Sequence, residues 1–170
     1  MRCGTDHQLR LRQHTDALTM RTTAAIMIAS RLIDWFAAVY LTIGAINELS
    51  TLWGYQLLAQ RTQHPVLGEL LSRIVKQERT HYTYYRWQAE RRLARSRAAR
   101  VLTRRYLEQQ FVAVGHGVKS TSDVHRLTRY LLSGEDGRTV ARRIDSEIAR
   151  LPGLRGVYLA QRTLDRALAA

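Results

Sequence analysis

Only two prolines, Pro65 and Pro152, interrupt the 170 residues, and glycine is sparse. Residues that break helices are therefore rare, while Ala, Leu, Arg and Gln, all good helix formers, dominate. On either side of Pro65 one set of positions recurs at three- and four-residue intervals. Before it, Ala37, Leu41, Gly44, Glu48, Leu52 and Tyr55 share one helix face. After it, Leu67, Leu71, Ile74, Glu78, His81 and Tyr85 share another. A strand would alternate every second residue instead. The chain reads as all-α, and with 45% hydrophobic residues it is long and apolar enough to bury a core.

The pattern predicts a polar, basic lead-in over residues 1–22, a helical bundle over 23–153, and a tail or short helix over 154–170. The first long helix starts near Thr22 or Thr23, with a break near Ser30 left open, and runs to Gln60. Arg61 to Pro65 is a turn, and Pro65 suits the first position of the next helix, where its missing N–H costs nothing. That helix runs to Ala94. Ser96 is then either the N-cap of a third helix, Arg97–Val114, or part of one continuous helix. Gly115-His116-Gly117 stops the third helix. A short helix, Asp123–Ser133, follows an N-cap offered by Ser120 to Asp123. A turn at Gly134–Gly137 leads to a helix over Arg138–Arg150, which Pro152-Gly153 stops.

Several classes are disfavoured. The best membrane candidate, Ala24–Ile46, is interrupted by Ser30, Arg31 and Asp34 and falls short of the roughly 20 apolar residues a span needs. Residues 1–22 hold no compact apolar run of the signal-peptide kind. Cys3 is the only cysteine, which excludes a disulfide framework and a Cys-based zinc site and suits a reducing cytoplasm. The net charge of +13 is carried by arginine, with Lys76 and Lys119 the only lysines. Arg91, Arg92, Arg95, Arg97, Arg100, Arg104 and Arg105 form a basic run suited to phosphate, nucleic acid or an acidic carrier protein. No aromatic platform or nucleic-acid motif accompanies it, so a solvated face is the favoured reading and nucleic acid the weaker partner.

The chemistry sits at Glu48, Glu78 and His81. The turn centres near Gln63, with Glu48 and Glu78 each fifteen residues away. In an antiparallel hairpin both lie roughly 22 Å from the turn, at ~1.5 Å per residue, and so face each other. His81 lies one turn beyond Glu78 on the same face. Buried carboxylates are costly unless paired, protonated or bound to a metal. Two carboxylates and an imidazole suit a divalent ion such as iron or manganese. The alternative is that Glu48 pairs with a buried arginine such as Arg86 and that His81 is a core histidine. Tyr82, Tyr84, Tyr85 and Trp87 read as bundle core, with Tyr85 best placed to act beside a metal.

The segments Asn47–Tyr55, His64–Leu71 and Gln77-Glu-Arg-Thr-His-Tyr82 resemble the first helix pair of the ferritin-like superfamily, which pairs a Glu or Asp on one helix with Glu-x-x-His on the next, twice over. The likeness covers residues 33–95, and Leu151-Pro-Gly-Leu154 is shared with uncharacterised actinobacterial ferritin-like proteins. The resemblance implies a ferritin-like antiparallel bundle with extra short C-terminal helices. It further implies two iron ions, with manganese the alternative, that activate dioxygen on an unknown organic substrate, acyl chains being one class. The pattern departs at its second half, because no second Glu-x-x-His exists. Glu108 and Asp145 are the best further ligands, with Glu147, Asp123, His125 and His116 weaker. The site can then be asymmetric, mononuclear, degenerate or completed across a homodimer, and a longer gene product with an upstream helix pair is a further option. The competing reading is a metal-free bundle that binds an acidic partner or nucleic acid through its arginines.

Overall fold

The computed structural model describes residues 34–116 and 118–170. The expected lead-in over residues 1–22, the helix start at Thr22 or Thr23, the break at Ser30, Cys3 and Gly117 lie outside them. The described residues form six helices and no strand: α1 (Asp34–Arg61), α2 (Pro65–Arg95), α3 (Arg97–Gln110), α4 (Thr121–Leu132), α5 (Gly134–Ala149) and α6 (Ala160–Ala169). None is long and apolar enough to cross a membrane.

Local chemistry sets the breaks. Pro65 stands at the start of α2, and the His64 side chain caps it by accepting the Leu67 N–H at 3.3 Å. A single extended residue, Ser96, separates α2 from α3, and its Oγ accepts the Ala99 N–H at 3.1 Å. Arg100 donates to the Leu93 and Ala94 carbonyls at 2.8 and 3.2 Å, satisfying acceptors that the end of α2 would leave unpaired. The broken form of the α2–α3 segment is thus the one adopted. Helix α3 stops at Gln110, four residues before the expected Val114. Phe111 turns extended there and packs against the core.

The expected turn at Gly134–Gly137 is instead the first turn of α5, and Ser133 alone makes the link from α4. Glu135 and Asp136 fit this position, since carboxylates favour the positive end of a helix. Gly134 has φ +84°, a left-handed conformation glycine adopts freely. A Cβ on Gly137 would collide with the Leu132 carbonyl, so the tight link depends on a bare backbone there.

Helix α1 is the hub, packing on α2, α3, α4 and α5. The core gathers Ile46 and Leu49 of α1, Leu93 of α2, Leu107 of α3, and Ile144 and Ile148 of α5. Leu154, Val157 and Leu159 are buried in the same cluster, so the chain beyond residue 153 packs into it. Helix α2 packs chiefly on α1. Only Leu71, Ala89 and Leu93 of its 31 residues are buried; it meets α3 and reaches α5 through Tyr82 and Arg86, which both contact Glu147. Its outward side carries Val66, Leu70, Tyr84 and Trp87, all more than half exposed.

Candidate metal centre

The α1–α2 hairpin brings the two predicted stripes together. Glu48 of α1 and Glu78 and His81 of α2 each offer a ligand atom, and these atoms lie within 4.8 Å of one another. His81 Nδ1 is 3.6 Å from Glu48 Oε2 and 3.9 Å from Glu78 Oε2. Mirror placement about the turn produces this, as the sequence spacing requires.

The expected burial does not hold. The side chains of Glu48 and Glu78 retain 24% and 17% of their exposure, and His81 retains 58%. The trio sits at the margin of the core: Ala37 and Leu52 on the same stripe of α1 are buried, while Glu48 stays partly exposed. Tyr84 and Trp87, expected in the core, are exposed on the outward side of α2, and Arg91 lies 4.6 Å over the Trp87 ring.

The electrostatics of the trio are unbalanced. Glu78 Oε2 is shielded from solvent and has no hydrogen-bond partner. The Glu48 carboxyl is pushed up to about 7, first by burial and then by the neighbouring Glu78. Two carboxylates this close cannot both hold a full charge cheaply without a proton or a cation between them. Arg86 does not serve, since its guanidinium lies 3.3 Å from Glu147. An acceptor-rich set with an orphaned oxygen and an imidazole nitrogen alongside is a donor set that fits a divalent cation.

Tyr85 closes one end of the trio, one turn beyond His81. Its ring lies on Gly44, one turn before Glu48, and a Cβ at Gly44 would approach Tyr85 Cδ1 to 2.7 Å. The Tyr85 phenol is raised by burial and by Tyr40, Glu48 and Tyr84. Tyr82 belongs elsewhere, donating to Glu147 at 3.3 Å.

The remaining candidates are placed apart from the trio. Glu108 is exposed and pairs with Arg104 at 2.9 Å. Asp145 is 3% exposed and holds the start of α6. Its Oδ1 accepts the N–H groups of Leu159 and Ala160 at 2.8 and 2.9 Å, and its Oδ2 accepts the Gln161 N–H at 3.1 Å and Nε2 at 2.9 Å. Glu147 takes Arg86, Arg150 and Tyr82. Asp123 accepts from Ser120, and His116 and His125 meet edge to face at 6.4 Å. Among the described residues, no further His, Cys, Asp or Glu joins the trio.

The basic run is partly structural. Arg92 donates to Gln88, Arg100 to the end of α2, and Arg104 to the Gly153 and Arg155 carbonyls. Sequence reading did not find these roles, because each depends on a carbonyl brought close by folding. No protein-family model, curated protein or solved structure matches the chain.

Proposed function

We propose that the chain is a ferritin-like, oxygen-dependent metalloprotein that supplies half of a two-ion centre, and that a second copy supplies the other half. The observation that carries this is the convergence of Glu48, Glu78 and His81 around the partnerless Glu78 Oε2. Three donors leave a metal ion short of the usual six ligands for iron or manganese. Helix α2, which carries Glu78 and His81, also exposes the apolar residues Val66, Leu67, Leu70 and Tyr84. A two-fold axis through this face would bury those residues and bring six donors together. Two hairpins then make the four-helix arrangement typical of carboxylate-bridged centres.

Iron, with manganese the alternative, would supply redox exchange with dioxygen when bound. Glu48 and Glu78 would hold the ions through oxygen and His81 through neutral nitrogen. Metal uptake requires Glu48 to give up its proton, so binding strengthens as pH rises toward and past 7. Tyr85, fixed against Gly44, walls off one end of the site and places a phenol near the carboxylates. The substrate is an organic molecule that the site itself does not specify, and an acyl chain, free or on an acidic carrier protein, rests on the family resemblance alone. A metal-free interaction module has less support, since Arg92, Arg100 and Arg104 of the basic run are engaged within the chain.

The test is anaerobic reconstitution with ferrous iron, reading metal per chain, oligomeric state and absorbance on admitting oxygen, beside Glu78→Ala. The expected result is about one iron per chain, a metal-dependent dimer and an oxygen-dependent absorbance band, all lost in the variant. No stoichiometric metal in the wild type overturns the proposal. Metal uptake by a strict monomer overturns the paired form of the site.

A further inference from the structure

A second site lies on the other side of α1. A cavity of about 250 Å³ opens between α1, the loop after α3, and helices α4 to α6. Its floor is core, with Ile46, Ile144 and Leu159 all buried. Helical interiors pack densely, and voids larger than a water molecule are few. An apolar hollow this deep, open on one side and floored by the core, is therefore a feature to be explained.

The lining chemistry narrows what fits. Among the described residues, no charged side chain lines the cavity. Two of its hydroxyls, Ser50 and Thr51, donate to the Ile46 and Asn47 carbonyls at 2.7 and 2.8 Å and are spent on their own helix. The rim is apolar as well, since Val114 and Leu127 lie there about half exposed. Water gains few partners in such a space. An apolar cavity of about 150 Å³ stays dry and takes up benzene, so 250 Å³ corresponds to roughly ten carbon atoms.

We infer that this cavity binds a neutral apolar molecule of roughly ten carbons, entering past Val114 and Leu127. Gly54 is the position that keeps the α1 wall open. A Cβ there would only touch Leu131 at 3.6 Å, so larger side chains at 54 would project into the space without disturbing the backbone. The cavity shares no residue with the trio of Glu48, Glu78 and His81, and the inference stands without the metal.

The test is a titration of the full-length, metal-free chain with naphthalene, followed by ligand-observed NMR. Gly54→Leu plugs the cavity from α1 and Thr163→Leu plugs it from α6, with helicity checked by circular dichroism. The expected result is saturable one-to-one binding, weakened at least tenfold in each plugged variant that keeps wild-type helicity. Glu78→Ala binds naphthalene as the wild type does, which separates this site from the metal centre. No saturable binding by the wild type overturns the inference, as does equal binding in a folded plugged variant.

Discussion

Two acidic side chains on different helices each hold carboxylate oxygen shielded from water, and they are treated in opposite ways. Asp145 of α5 receives four hydrogen bonds from Leu159, Ala160 and Gln161. Glu78 of α2 keeps one oxygen with no partner and faces a second carboxylate and an imidazole. A carboxylate surrounded by backbone N–H groups is a structural element. A carboxylate left beside a second carboxyl needs a proton or a cation between the two. Burial alone does not separate the two cases; the count of donors does.

The comparison breaks most visibly at Asp145. Asp145→Ala leaves three N–H groups at the start of α6 unpaired and is expected to cost about 3 kcal/mol in urea unfolding, with Asp145→Asn costing less because its amide oxygen still accepts. Near-neutral behaviour of the alanine variant would remove the contrast. Glu78→Gln should do the reverse. It is expected to leave unfolding stability of the metal-free chain unchanged or slightly raised, while weakening ferrous binding at least about 100-fold, or about 2.7 kcal/mol, by competition with a chelating dye.

Smaller effects sharpen the same picture. Gly44→Ala drives a methyl group into the Tyr85 ring and is expected to cost about 1–2 kcal/mol in thermal unfolding, with ferrous binding weakened as Tyr85 shifts. The pH dependence should be slight but of defined sign. Between pH 4.5 and about 7 the folded chain keeps a proton on Glu48 that the unfolded chain has lost. The contribution is therefore fully present below pH 4.5 and fades as pH rises through 7. Metal-free stability should fall over that window in the wild type and lose that component of the slope in Glu48→Gln, as followed by urea midpoints.

The hairpin was legible because Pro65 marks the turn and the two stripes mirror each other about it. Ser96 was half legible: a lone serine between long helical runs offers a cap, but an unbroken helix through the Arg/Ala run fits the same residues. The trio's place at the margin of the core was not legible. A shared face shows that residues lie together, not what covers them, and apolar residues occur on most sides of α1. The start of α5 was misread because Gly134-Glu-Asp-Gly137 has the composition of a turn, and the same acids suit a first helical turn. The four hydrogen bonds at Asp145 were invisible because their donors lie 14 to 16 positions later in the chain, where no short motif reaches.

The one-sided seating of α2 on the hub has a thermodynamic consequence. A helix of 31 residues that buries only three, and rests on its neighbours along one side, is expected to exchange its amide hydrogens ahead of those of α1. The trio spans the boundary between that segment and the hub. An ion held there would act as a clip, and its binding energy would appear as slowed exchange along α2 before it appeared as any change in shape. Metal supply would then set how long the chain survives against proteolysis, because every ion bound withdraws molecules from the population in which α2 has opened.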